Sequence, residues 1–222
     1  MAEVLPGVHQ VEGIDPSPDF STHVYLLKDR GGSFTLIDTG LPGSEAGILA
    51  YLKKIHVAPT SISKILLTHL HRDHTGSLRK MIEATHARTF SHWLEAAYIA
   101  CDPPYDGPGV PPAEPVRVDE VLKDGDSVDA AGGLTAYHTP GHTPGHTSYY
   151  LAERKILFSG DLFFGRGTGL ILTPPEYTHH SPTAKVSARR VGQLSVDSVM
   201  TYHGGPILSG GSAALRALLQ GL

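Results

Sequence analysis

Residues 65–76 have the sequence ILLTHLHRDHTG, which places three histidines and an aspartate within six positions. The apolar run that opens this segment predicts a buried strand, and a helical pattern follows the segment. His69 and His71 are two positions apart, so in an extended segment they point to the same side and can chelate one ion. Asp73 and His74 lie at the turn and can face a second ion. Zinc, iron and manganese all accept imidazole and carboxylate ligands, so we expect two metal positions about 3.5–4 Å apart.

The sequence HLHRDH at 69–74 resembles the HxHxDH signature of the metallo-β-lactamase superfamily. Further motifs similar to that family's follow in the same order: IDTG at 37–40, TPGHTPGH at 139–146, SGD at 159–161 and HGGP at 203–206. Together they cover nearly the whole chain. The resemblance implies an α+β fold of the αββα type, a four-layer sandwich. The alternation of predicted hairpins and helices independently favours two face-to-face sheets with helices outside.

The resemblance also implies which later residues bind metal. Of the two histidines in TPGHTPGH, we assign the second, His146, as the ligand and give His142 a supporting role. Asp38 is expected to cap a turn or to support the ligands. The implied ligand set is His69, His71 and His146 at the first metal, Asp73, His74 and His203 at the second, and Asp161 shared between them.

A site of this kind implies a hydrolase. The expected cofactors are two divalent cations, with Zn²⁺ favoured and iron or manganese as alternatives. A metal-bridging hydroxide would attack an acyl carbon, with Asp73 as the catalytic residue that orients it. The resemblance to hydroxyacylglutathione hydrolase (glyoxalase II) favours thioesters or related esters, with a substrate range that could be broad. Only about 19 residues follow His203, so the additional helical domain that holds glutathione in that class is not expected.

Three other functions remain open at this point. A lactonase of the same superfamily would use the same ligands, but some lactonases have a tyrosine where this chain has Phe164. A persulfide dioxygenase with a single iron could use the same histidines. A binding module without catalysis is disfavoured by the complete ligand set.

The composition sets wider limits on the chain. Its 222 residues are 40% hydrophobic and 18% charged, typical of a globular protein, and no composition shift divides residues 1–222 into more than a single domain. The net charge of −4 without a basic run argues against a nucleic-acid partner. Neither a membrane span nor a signal-peptide pattern is recognisable. Because Cys101 is the one cysteine, we expect a reducing, cytoplasmic location. The expected partner is a small-molecule acyl substrate, and the sequence is compatible with a homodimer.

Residues 101–115, CDPPYDGPGVPPAEP, contain six prolines and two glycines, which excludes a regular element. A loop of this kind is either a lid over a binding site or a stiff surface connection. Tyr105 within it, and Trp93 and Tyr98 before it, could form an apolar pocket wall or part of the core. Three more side chains could border the pocket or be purely structural: Arg166, His179 and His180.

Overall fold

The first sheet has seven strands whose order in the sheet follows their order in the chain. The structure is a computed structural model that describes residues 1–12, 21–112 and 114–222. Strands β1 to β4 pair antiparallel, and β4 to β7 pair parallel. The strands are β1 (Ala2–Leu5), β2 (Val8–Glu12), β3 (His23–Lys28), β4 (Phe34–Ile37), β5 (Ile62–Leu66), β6 (Arg88–His92) and β7 (Glu120–Leu122).

The second sheet has five strands in the order β14-β11-β10-β9-β8, in which β11 and β14 are parallel and the other pairs are antiparallel. A separate hairpin is formed by β12 and β13. The strands are β8 (Ser127–Val128), β9 (Leu134–His138), β10 (Thr147–Leu151), β11 (Ile156–Gly160), β12 (Phe163–Arg166), β13 (Gly169–Leu172) and β14 (Ser198–Thr201).

Six α-helices are present in the described residues, and most of them cover the outer faces of the two sheets. Helix α1 buries Ile48 and Leu52, and α3 buries Leu78 and Met81, at the three- and four-residue spacing of an apolar helix face. The helices are α1 (Ser44–Lys54), α2 (Arg72–Thr75), α3 (Leu78–Thr85), α4 (Trp93–Ile99), α5 (Ser181–Val191) and α6 (Gly211–Gln220).

The hydrophobic core consists of three clusters of buried side chains, one in each layer between neighbouring sheets or between a sheet and its helices. The central layer joins the two sheets, with Leu66 from the first and Phe158 from the second among its buried members. The second layer packs α1 and α3 on the outer face of the first sheet, where Leu36 is buried. The third packs α5 and α6 on the second sheet, around Val199 and Leu215. The expected four-layer αββα sandwich is confirmed.

The buried strand and the helix predicted on either side of the 69–74 motif are present as β5 and α3, but two local predictions were incomplete. The sequence predicts a turn at Asp73 and His74 and a helix from about Thr75, whereas in the structure both residues already lie in a short helix, α2, that begins at Arg72. The glycine-rich segment 163–172 forms the β12–β13 hairpin, which its sequence did not predict. Among residues 1–12, 21–112 and 114–222, the structure has no helix that is both long and apolar enough to cross a membrane.

One parallel strand pair in each sheet, β4–β5 in the first and β11–β14 in the second, leads into the segments that carry the candidate site residues. Asp38 follows β4, and the 69–74 segment follows β5. In the second sheet Asp161 follows β11, and His203 lies two residues after β14. Chemistry-bearing side chains therefore come from strand ends, where the chain leaves the hydrogen-bonded ladder and its side chains can converge.

Leu36→Ala should lower the free energy of unfolding by about 2–5 kcal/mol, because the fully buried leucine leaves a cavity between the first sheet and its helices. Leu208→Ala is the matched control, since the same change is made where the leucine is 43% exposed, and it should change the free energy by less than about 0.5 kcal/mol. Urea denaturation followed by circular dichroism measures both. Equal effects would contradict the position of Leu36 in the core.

Candidate metal centre

Three histidine rings meet at one point beside the end of β5. Nε2 of His69 lies 3.0 Å from Nδ1 of His71, and Nε2 of His142 lies 3.1 and 3.0 Å from the same two atoms. Ring nitrogens bound to one tetrahedral zinc ion at about 2.0–2.1 Å would be roughly 3.3 Å apart. This group, hereafter the three-histidine group, therefore has the dimensions of one metal ion's ligand set.

A second group lies next to the first and mixes histidine with carboxylate. Nε2 of His203 is 3.2 Å from Oδ2 of Asp73, and Nε2 of His74 is 3.6 Å from the same oxygen. Like the three-histidine group, these three ligand atoms lie close enough together to hold a metal ion. We call Asp73, His74 and His203 the mixed group.

Asp161 stands between the two groups. Its Oδ2 is 3.6 Å from Nε2 of His142 and 3.4 Å from Nε2 of His203, and its Oδ1 is 3.4 Å from Nε2 of His74. Both Oδ1 of Asp161 and Nε2 of His74 are buried without a hydrogen bond of normal geometry in the described residues. Buried polar atoms of this kind are costly unless something satisfies them, and a cation next to Asp161 would do so.

The two groups differ in charge. Burial lowers the pKa of His69, of His71 and of His142, so these rings are neutral at pH 7 and each keeps a lone pair. Burial also acts against protonation of His203, but the carboxylates of Asp161 and Asp73 raise its pKa to about 9. The mixed group thus lies in a negative environment that attracts positive charge, and the three-histidine group offers neutral nitrogen donors.

Asp38 holds the mixed group in place from behind. Its carboxylate accepts hydrogen bonds from the backbone N–H and the hydroxyl of Thr68, each at 2.8 Å, and Nδ1 of His74 lies 2.9 Å from Oδ2. Nδ1 of His74 can then donate its proton to Asp38 and present Nε2 to the mixed group, which is the usual arrangement for a metal-binding histidine. Tyr202 stacks on the His74 ring at 3.6 Å and donates a hydrogen bond to the carbonyl of Asp73.

The assignment of His146 as the third ligand at the first metal needs correction. The structure brings His142, and not His146, to the three-histidine group. Nε2 of His146 accepts a hydrogen bond from the N–H of Asp161 at 3.0 Å, and its Nδ1 is 2.9 Å from the hydroxyl of Thr139. Both ring nitrogens are therefore engaged, and neither is available to a metal.

The reason lies in the geometry of the TPGHTPGH loop. The N–H of Thr139 donates to the carbonyl of His146, and β9 and β10 pair directly below this contact. His146 is thus at the base of a hairpin loop, whereas His142 is at its tip and reaches towards His69. The motif alone does not separate the two histidines, because the pairing of β9 with β10 decides which of them lies at the tip of the loop.

Residues 105–110 of the proline-rich loop lie against one side of the three-histidine group. Nε2 of His71 is 2.9 Å from the carbonyl oxygen of Pro108, and the carbonyl of Val110 accepts a hydrogen bond from the N–H of Arg72. Gly109, at φ +95°, lies so close to the His71 ring that a Cβ there would be 2.4 Å from Nε2. Part of this loop therefore covers the site, and it fixes the orientation of His71.

The residues left open by the sequence occupy different positions around the site. The Tyr105 ring lies 5.6 Å from that of His71 and 5.4 Å from that of Tyr98, so these two tyrosines are close to the site. Trp93 is 53% exposed and Arg166 is exposed at the end of β12. Two exposed histidines support the loop that carries His142 through their backbone: the N–H groups of His179 and His180 donate to the carbonyls of His142 and Gly141.

Comparison with known proteins gives a family match over most of the chain. The family model described as the metallo-beta-lactamase superfamily matches residues 17–203. A hydroxyacylglutathione hydrolase from Pseudomonas entomophila (strain L48) is 35% identical over 174 residues, which cover 76% of this chain and 58% of that protein. An uncharacterised protein of Bacillus subtilis (strain 168) is 29% identical over 218 residues, covering 90% of both chains. The chain thus spans less than two thirds of the first of these relatives.

Solved structures agree with the fold. A metallo-beta-lactamase family protein from Thermus thermophilus superposes with a TM-score of 0.73 at 24% identity, over 99% of this chain and 80% of that one. At this level of identity the likeness supports the architecture and leaves the substrate open.

His142→Gln should reduce the metal content by about one ion per chain, because it removes one of three converging nitrogens. His146→Gln, the same change four residues along the loop, should leave the three-histidine group complete. Metal content after dialysis, measured by inductively coupled plasma mass spectrometry, distinguishes the two variants. Greater metal loss in His146→Gln would restore His146 as the ligand.

Proposed function

The chain belongs to the metallo-β-lactamase superfamily, and from this membership and the site we propose that it is a binuclear metal-dependent hydrolase of thioesters or related esters. One observation carries the proposal: the three-histidine group and the mixed group lie side by side, with the Asp161 carboxylate between them. The relationship to a hydroxyacylglutathione hydrolase supports the choice of thioesters.

Each group offers histidine nitrogens or carboxylate oxygens, which zinc and similar divalent cations accept as ligands. We propose that His69, His71 and His142 hold one divalent cation, zinc in the first instance, and that the mixed group holds another, with Asp161 shared. Two bound cations would activate a water molecule and polarise the acyl carbonyl. A carboxylate placed between two cations would offset their mutual repulsion, which is the role that we propose for Asp161.

Asp73 is the residue that we propose to handle the proton. Burial acts against its ionisation, yet the neighbouring His74 and His203 rings lower its pKa to about 2, so it is a carboxylate at neutral pH. Its side chain is 29% exposed, in contrast to Asp161 at 4%. Asp73 can therefore accept a hydrogen bond from an attacking water on the open side of the site and keep that water aimed at the acyl carbon.

The remaining side chains bear on the choice of substrate. Phe164 packs its ring 4.6 Å from the His203 ring, and it offers an apolar contact beside the mixed group without a hydroxyl. Because some lactonases have a tyrosine at this position, Phe164 does not support the lactonase alternative. The Tyr105 ring lies beside His71 in the three-histidine group, 5.6 Å away, so we propose that the acyl group lies between the Phe164 and Tyr105 side chains.

The metal-loaded protein should hydrolyse S-acyl thioesters, releasing a free thiol that Ellman's reagent detects. Activity should disappear on dialysis against a chelator and return on addition of Zn²⁺, and wild-type protein should contain about two ions per chain. The panel should include a glutathione thioester, an N-acylcysteamine thioester, a lactone and a cephalosporin. Turnover of the lactone alone would overturn the choice of substrate, as would a single bound iron with oxygen uptake on glutathione persulfide.

Asp73→Asn should lower kcat by about 10²–10⁴-fold, the range for loss of a group that moves a proton. Asp102→Asn is the control, because this aspartate is exposed in the proline-rich loop and should leave kcat within twofold. The metal content of both variants is measured in the same samples, so that loss of the proton-handling group is separated from loss of metal. A fully loaded Asp73→Asn variant with wild-type kcat would contradict the role of Asp73.

A further inference from the structure

Glu95 is a fully buried carboxylate that neither metal group contains. It lies on α4, is 0% exposed, and accepts three hydrogen bonds. Its Oε2 accepts from the N–H of Leu70 at 2.7 Å, and its Oε1 accepts from the hydroxyl of Thr143 at 2.8 Å and the N–H of Gly145 at 2.7 Å. Every one of these donors belongs to a segment that carries a ligand histidine.

The positions of the donors decide what Glu95 does. Leu70 lies between His69 and His71, and Thr143 directly follows His142. The three histidines come from two segments that are more than 70 positions apart in the chain, and the two oxygens of one side chain connect those segments. The loop also packs closely on α4 at Gly145, since a Cβ at this position would lie only 2.8–2.9 Å from atoms of Leu94 and Glu95. The loop can therefore lie directly on α4.

We propose that Glu95 is a positioning residue that sets the distance between the two ligand segments and so tunes the affinity of the three-histidine group for its metal. The inference rests on the proposed function, since it assumes that this group binds a cation. The three hydrogen bonds of Glu95 go to Leu70, Thr143 and Gly145, and none of them goes to a ring of the three-histidine group. Glu95 acts through the backbone on which those rings stand, in the manner of the outer residues that orient metal ligands in other sites.

The chemistry of the site favours a carboxylate over every other side chain at this position. The N–H groups of Leu70 and Gly145 can only donate, and each faces a different oxygen of Glu95, so an amide would set its NH₂ against one of these N–H groups. Burial raises the pKa of Glu95 to about 7, while the three hydrogen bonds act in the opposite direction by stabilising the charged form.

Glu95→Gln is the main test, because it keeps the volume and removes one acceptor. The affinity of the three-histidine group for Zn²⁺ or Co²⁺, measured by chelator competition, should fall about 10–100-fold. The mixed group should keep its ion, so the chain should lose about one of two ions, and His142→Gln serves as the reference for that loss. In metal-free protein, hydrogen exchange of the Leu70 and Gly145 amides should accelerate, which gives a readout independent of metal and of activity.

Asp29→Asn is the matched control. Asp29 is also a buried carboxylate that accepts from three partners, namely Ser33, Thr35 and the N–H of Ala131. It directly follows β3. Because β3 is antiparallel to β4, the carboxyl end of β3 lies beside the amino end of β4, away from the carboxyl end of β4 and the candidate metal centre. This variant should lower the stability of the fold and leave metal affinity unchanged.

Thr143→Val is a second, milder variant, because it removes one hydrogen bond and retains the carboxylate. It should lower the metal affinity of the three-histidine group by a smaller factor than Glu95→Gln, and it provides a test if Glu95→Gln fails to fold.

The outcomes separate this inference from the proposed function. Wild-type protein that binds no metal would contradict the proposed function, regardless of the metal content of the variants. Wild-type protein that binds two ions, together with Glu95→Gln protein of unchanged metal affinity and unchanged exchange at Leu70 and Gly145, would overturn the positioning role alone. Equal losses of metal in Asp29→Asn and Glu95→Gln would also overturn it, since a general loss of stability would then explain both.

Discussion

The buried carboxylate of Asp38 is the constraint on which the candidate metal centre depends. A buried carboxylate needs hydrogen-bond partners. Here the partners are the N–H and hydroxyl of Thr68 and the ring of His74. Asp38 has φ 61°, a conformation that a residue with a side chain keeps only where its surroundings hold it there. The end of β4 thereby fixes the path of the segment after β5, and every ligand in that segment follows from it.

Buried polar residues also support the segments of Asp161 and His142. His146 uses both of its ring nitrogens to hold the backbone of Asp161 and the base of its own loop. Glu95 joins the segments of His69 and His142 through the backbone. A metal-binding group needs side chains placed within a few tenths of an ångström. In this fold that accuracy comes from buried polar residues outside the ligand set, which hold the loops where the strand ladders have ended.

The sequence predicted the elements and motifs well, because apolar runs and histidine spacing are local signals. It failed where a residue's role depends on a contact distant in the chain. His142 and His146 share one motif, and only the β9–β10 register shows which is at the tip of the loop. Glu95, in the segment WLEAAYI, has the sequence appearance of a solvated helix residue. The β12–β13 hairpin brings Gly165 against Gly204 and Gly205, a close approach that no local pattern indicates.

The proline-rich loop contacts a histidine ring that also belongs to the three-histidine group. Because the Pro108 carbonyl lies 2.9 Å from Nε2 of His71, and the Nδ1 of that ring faces the three-histidine group, the loop and a metal would hold opposite edges of the same imidazole. A displacement of the loop at Pro108 therefore removes an orienting partner of His71, and a rotation of His71 removes an anchor of the loop. The position of the loop and the geometry of the three-histidine group therefore cannot vary independently, since the His71 ring belongs to both contacts.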